Sequence, residues 1–497
     1  MMIRMHQSSL AFLALLLISG IDAFSTVTPP KQAAPPRTVD LQTLPLPPSR
    51  KPGPFRKIRD FVSYLKNPQT FTERRAKELG PVFSTNLFLK PAVVIGGKTN
   101  VEDFIAKERQ AKVIHAALPD TFMELHTPYG ALNLDSTDVL HQQARVFFAT
   151  TLGKNALAYY ADFLEREMEA YVEQMAQKVR ANPEHEFFLV PELSDFCLQL
   201  FAKMYSGEGL TAEQVTLFRD YNSGLLAPTR SSKAFQKGFD AMNQLIALME
   251  ERLKTPVTEA PGKLAYDALM TLEGYVDMPE RRAPGMMLMI WGAYAESAGL
   301  MTNALTLLRQ MGDGPMEEMR SEYAKVQTLP GLDKWNEFHF ATGVVRESLR
   351  LIPQVGGGFR YSDNDFEVAG YRIPAGTTVT VDPRIGNIDP NLYVDPMAPK
   401  PERWMPAPQE SSGCPFRGSA LGRGPGAWFP GGTGAHGCPG IGLAELVTKI
   451  FLTQITQKFD SWEYTGSGLT RSGDIKYVEI PIKVPVDDFG VRFTLRQ

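Results

Sequence analysis

A helix-dominated α+β body with small β-sheets is what this chain's sequence predicts, on three observations. Long segments with helical apolar periodicity fill residues 100 to 350, among them Ala156 to Val179, Phe235 to Leu253 and Pro284 to Met311. Short strand-like segments bounded by glycine and proline lie on either side of that stretch. A glycine-rich loop, Gly431 to Gly440, runs directly into one further helix.

The chain opens on a stretch of signal-peptide type, residues 1–23. Arg4 and His6 precede an unbroken apolar run, Leu10 to Ile18, and Ile21-Asp22-Ala23 is a small-residue exit. The run falls short of the roughly 20 residues a bilayer span requires. The alternative is a short amphiphilic anchor that the mature protein keeps. Phe24 to Val39 then carries Lys31, Arg37 and no acid among Ser, Thr, Ala and Pro, which is transit-peptide composition. Together the two parts resemble the plastid leader of algae with secondary plastids, so a plastid location is expected, with the endoplasmic reticulum membrane as the alternative. Prolines crowd residues 44 to 55. Residues 24–51 are therefore expected to be a disordered, Pro-rich linker, and the folded domain to span residues 52–497.

Two strands are expected between residues 80 and 97. Gly96-Gly97-Lys98-Thr99 has the tail of a phosphate-binding loop, but Ala92 stands where the first glycine is required, so this is a strand end entering a helix. Residues 366–381 return to strands, as do Lys476 to Ile482 and Gly490 to Leu495. No repeat of fixed period is present, and nothing divides the body into independent units.

A net charge of -3 over 497 residues leaves no basic footprint for nucleic acid. The three cysteines, Cys197, Cys414 and Cys438, are too few and scattered for a disulfide framework and form no Cys-x-x-Cys pair. Cys438 stands apart. Gly431, Gly432, Gly434, Gly437 and Gly440 surround it, and such glycines let backbone approach a bulky flat group. A helix starts just after it, and its free N–H groups are expected to draw the thiol toward thiolate. Cys414 is followed by no such helix pattern.

The segment Trp428 to Ala444 resembles the haem-binding loop of the cytochrome P450 family, Phe-x-x-Gly-x-Arg-x-Cys-x-Gly. Gly434 and Gly440 match its glycines, Ala444 its small residue, and His436 the position that contacts a haem propionate. Gly431 replaces the usual aromatic residue, with Phe429 two positions earlier. Other motifs fall in the family's order. Glu347-Ser-Leu-Arg350 and Arg403 of Pro401-Glu-Arg-Trp404 match its ion triad. Asn387 to Pro396 resembles the stretch between them, with Asn387 replacing His. His141-Gln-Gln-Ala-Arg145 matches Trp-x-x-x-Arg, which makes Arg145 a propionate ligand with His141 in place of Trp, and Arg360 looks like a further propionate arginine. Ala293-Tyr-Ala-Glu296-Ser297 fits the acid–alcohol pair of the long helix, Glu296 relaying protons and Ser297 bonding the oxygen adduct, with Tyr294 replacing a glycine.

The resemblance implies a cytochrome P450 fold over residues 52–497, with haem b on Cys438. It implies a monooxygenase that takes NADPH-derived electrons through a partner, ferredoxin in a plastid or a membrane reductase otherwise. It also implies a lipophilic substrate and peripheral membrane association. Pro353 to Gly370 is most similar to the retinoid- and isoprenoid-oxidising branch, so an isoprenoid, carotenoid or sterol-like substrate is expected. Tyr294 and the altered loop leave two alternatives: an isomerase or lyase acting on a peroxide or epoxide without external electrons, and a catalytically silent haem-binding protein.

Overall fold

The computed structural model describes residues 40–497 apart from 51–54, 88–89, 112–113, 117–119, 127–128, 228, 407–423 and 480–481. The leader, residues 1–39, and Cys414 lie outside the described residues. Helices dominate, and the longest one organises the others. Arg282–Gln310 runs through the interior, with every residue from Ser297 to Leu308 buried. A helix apolar on all sides is stable only where neighbours cover it all round. Leu189–Ser206, Lys233–Leu253, His339–Leu351 and Ile441–Lys458 supply that cover, and their inward residues join one large core.

The principal sheet has five strands in the order Val82–Leu87, Lys90–Ile95, Thr378–Val381, Phe359–Ser362, Ile114–Ala116. Lys90–Ile95 pairs antiparallel with the first strand and parallel with Thr378–Val381. The outer pairing sets Ala116 opposite Arg360 and draws the helix Lys98–Ala111 over that end of the sheet. Phe366–Val368 and Tyr371–Ile373 form a hairpin whose two turn residues, Ala369 and Gly370, have φ of 52° and 77°. Two positive φ values match the twist of a tight two-residue hairpin. Phe187–Phe188, Gly490–Leu495 and Phe459–Thr465 make a third sheet.

One expectation needs correcting. Residues 44–50 are not a loose linker. The carbonyl of Pro45 accepts Arg372 N–H at 2.9 Å, that of Pro48 accepts Ser84 N–H at 2.8 Å, Ser49 bridges Ser84, and Pro47 is buried. The folded body therefore begins before residue 52. Proline lacks an N–H but keeps its carbonyl, and these contacts use carbonyls.

Candidate functional site

Cys438 sits on a loop closed by its own backbone. Its N–H donates to the Gly431 carbonyl at 3.3 Å, and Gly437 N–H donates to Gly434 O at 3.1 Å. Gly434 has φ of 77°, and a Cβ there would lie 1.7 Å from Glu108 Oε2, so two independent constraints require glycine. The helix Ile441–Lys458 follows, and Cys438 Sγ accepts the Gly440 N–H at 3.3 Å. Burial is the largest influence on the thiol and pushes it up to about 11. The N–H groups of Gly440 and Ile441 and the Arg145 charge pull it down less. The N–H groups at the helix start thus draw the thiol toward thiolate, as expected, against a larger opposing effect of desolvation. A cation bound to the sulfur would stabilise the thiolate further.

Cys438 lies deep in the protein yet keeps some free surface. Glu296 does the same at the middle of the long helix, and Gly292, one turn earlier, is exposed with nothing within 4 Å of a Cβ placed on it. Free surface on residues this deep marks an interior space. Glu296 is near enough to Cys438 for its charge to raise the thiol's pKa, and burial lifts its own carboxyl from 4.5 to about 7. Ser297 beside it is buried. Tyr294 is buried two residues before Glu296, about 200° round the helix. Of the charges that act on its phenol Glu296 is the largest, ahead of Arg219 and Asp195, and Tyr221 in turn feels Tyr294. Sequence reasoning did not find Gln354. Its amide donates to the Glu296 carbonyl at 2.9 Å, and its nitrogen would lie 2.5 Å from a Cβ on Gly299.

The cationic side is built from two directions. Buried Arg281 pins the helix Val139–Leu152 by donating to Gln143 Oε1 at 2.9 Å and Leu140 O at 3.1 Å. That helix presents His141 and Arg145, and Arg145 donates to the carbonyl of Gly437. His141 and His436 lie with ring centres 4.6 Å apart. Burial holds both neutral, lowering His141 to about 4 and His436 to about 3. His436 Nε2 is 2.8 Å from the Leu134 carbonyl, which can only accept, so Nε2 carries the proton and Nδ1 is a bare acceptor. That buried Nδ1 has no protein partner. Arg360 acts on both rings but is bonded to Glu108, a partner that no sequence motif announced.

The three residues of the expected ion triad meet. Glu347 and Arg350 are fully buried, and Arg350 Nε donates to Glu347 at 3.0 Å. Arg403 Nε lies 3.2 Å from the same carboxylate, and Trp404 Nε1 donates to it at 2.9 Å. Arg350 also donates to the Asn387 carbonyl at 2.8 Å, and Asn387 returns a bond to Arg350 O at 2.9 Å. Glu322 caps the helix carrying Glu347 by accepting the N–H of Phe340 at 2.7 Å. The cluster fastens that helix to the turn Pro401–Trp404 on the way to the cysteine loop.

Among the described residues no group of three or more His, Cys, Asp or Glu gathers as metal ligands. A single sulfur cannot hold a bare ion but suits a metal that brings its other ligands with it, and haem is such a group. The residues fit it: Cys438 would be its sulfur ligand, Arg145 and Arg360 would meet its carboxylates, and Gly434 and Gly440 would allow its close approach. A thiol on one wall and a near-neutral carboxylic acid on the other make this the site of a haem-thiolate oxygenase.

Comparison with known proteins agrees. The sequence profile "Cytochrome P450" matches residues 47–277 and 286–470, and the chain belongs to that family. It is 28% identical to a putative cytochrome P450 120 of Synechocystis over 91% of this chain and 98% of that one. It is 23% identical to Xenopus laevis cytochrome P450 26A1 over 90% of each. The solved structure of retinoic acid-bound cyanobacterial CYP120A1 superposes with a TM-score of 0.75, covering 91% of this chain and all of that one at 24% identity. The chain is thus a cytochrome P450 monooxygenase with the P450 fold and a haem cofactor.

Proposed function

We propose that this monooxygenase places one oxygen atom of O2 into an isoprenoid-type lipophile of the retinoid, carotenoid or sterol kind. The observation that carries the reading is Glu296, at the middle of the long buried helix, near enough to Cys438 for its charge to act on the thiol and raised by burial toward neutrality. Haem iron with a thiolate ligand supplies dioxygen activation. Glu296 holds a proton at its carboxyl near neutral pH and can pass it inward, while Ser297 offers a hydroxyl one residue on. The substrate class rests on the likeness of Pro353 to Gly370 to the retinoid- and isoprenoid-oxidising branch and on the neighbour solved with retinoic acid bound. Monooxygenation is favoured over peroxide or epoxide rearrangement because Glu296 and Ser297 supply the acid and the alcohol that proton delivery needs. Purified holoprotein titrated with retinoids, carotenoids and sterols is expected to show a haem spectral shift with one of these classes and to oxidise it with NADPH and a ferredoxin or reductase system. Turnover with peroxide alone and none with reductant would replace this reading by the rearrangement one.

Glu296 gives a pH test. Its folded pKa, about 7, lies above its ordinary 4.5, so the stabilising effect of its proton is present at low pH and is lost as pH rises through 7. That shift amounts to at most about 3 kcal/mol. Glu296→Gln is therefore expected to match the parent protein in Tm near pH 5 and exceed it near pH 8, while monooxygenase turnover falls by roughly 100-fold. Equal Tm values at both pH values would remove the relay assignment.

Peripheral membrane attachment is proposed through the helix Arg56–Lys66. No helix among the described residues is long and apolar enough to cross a membrane. Phe55, Ile58 and Val62 are 79%, 54% and 42% exposed and share one face, beside exposed Lys57, Arg59 and Lys66. The helix's only acid, Asp60, is buried and bonded to Arg75 at 2.6 Å. Apolar side chains rimmed by cations suit a surface of anionic lipid. Ile58→Glu with Val62→Glu is expected to weaken binding to phosphatidylserine vesicles about tenfold or more, as two apolar side chains lose burial. Unchanged co-sedimentation would reject this face.

A further inference from the structure

Glu108, met above as the partner of Arg360 and the neighbour of Gly434, is only 2% exposed. It stands one turn from the end of the helix Lys98–Ala111. Oε1 accepts Arg360 Nε at 2.9 Å, while the buried Oε2 has no partner. Half-satisfied buried carboxylates are expensive and call for a reason. Three separate parts of the chain converge here: the Glu108 helix, the strand carrying Arg360, and Gly434 of the cysteine loop, where only a missing Cβ makes room for Oε2. Arg360 is held at two of its three nitrogens, Nε by Glu108 and Nη1 by the Phe359 carbonyl at 3.0 Å, and among the described residues none accepts a hydrogen bond from Nη2. Beside it lies a small crevice lined by Phe104, Gly358, Arg360, Val381 and Thr433. A guanidinium is planar, so fixing two nitrogens fixes the direction of the third.

We infer that Glu108 is a positioning residue for the cofactor: it sets the plane of Arg360 so that Nη2 is aimed, already oriented, at a haem carboxylate. The inference rests on the haem reading of the site. Pre-orientation acts by removing the ordering cost an unheld arginine would meet on binding. It also assigns Gly434 a second role, since any side chain there would evict the Glu108 carboxylate.

The test is the rate at which holoprotein loses haem to excess apomyoglobin. Glu108→Ala is expected to lose it about tenfold faster, and Glu108→Gln, which keeps an acceptor for Nε, within about threefold of the parent protein. If the alanine variant yields no soluble protein, Glu108→Asp, with a shorter reach and the same charge, takes its place and is expected to fall between. Arg360→Met alone also accelerates loss, and adding the position-108 change to it has no further effect, because Glu108 acts through that arginine. Additive effects, or an unchanged rate in the single variant, would overturn the inference. The reduced carbon-monoxide band of the Glu108 variants reads Cys438 ligation separately: its retention shows that the haem reading stands, and its loss in the parent protein would mean that reading had failed first.

Discussion

Replacing Cys438 by serine is expected to abolish the thiolate-type absorbance band of the reduced carbon-monoxide complex while the polypeptide stays folded. Serine is nearly the same size, and its hydroxyl keeps the Gly440 N–H as partner. The change in folding stability is therefore held to about 1 kcal/mol. Oxygenation should fall by more than the roughly 100-fold that loss of a ligand's supporting partner costs. Spectra of the reduced protein with carbon monoxide check it. An unchanged band would remove the sulfur from the metal's coordination and with it the assignment of the whole site.

A large effect is expected, too, at a residue that never touches the cofactor. Glu347→Gln keeps shape but deletes the one carboxylate that Arg350 and Arg403 share. Arg350 then remains a fully buried cation, a situation that costs about 3–5 kcal/mol. Set against a total stability of about 5–15 kcal/mol, that is enough to lower the urea midpoint sharply and to give protein that does not retain haem. A midpoint within experimental error of the parent protein would show that the cluster is ornamental.

The parts of the site that the sequence displays are those whose chemistry constrains neighbouring positions. Cys438 is legible because the loop around it needs glycines and a helix start, all within a dozen residues. Glu347 and Arg350 are legible because three residues apart on a helix means one face. Arg403 needed the family's spacing as well. Glu108 was invisible for a physical reason: its partner lies 252 residues away, and one acid in a charged helix looks like solvated surface. The facing of Tyr294 depends on which side of the long helix meets the sulfur, which no local pattern states. The N–H groups of the helix end pull on the thiol as the sequence implies, but the depth that opposes them is hidden from it. The strands and helices fared well, since apolar periodicity reports burial directly. The proline-rich entrance did not, because the bonds that tie its prolines to the body run through carbonyls, which every residue type carries.

That entrance has a further consequence. Val82–Leu87 is the outermost strand of the principal sheet, and residues 48–49 lie along its rim, parallel to it at Ser84, whose N–H donates to the Pro48 carbonyl. The prolines at 47 and 48 have no N–H to present outward. They act as a selvedge, finishing the fabric so that it cannot be extended. A version trimmed to start at residue 52 would leave a raw hem, inviting a second molecule to stitch on and favouring aggregates over monomers.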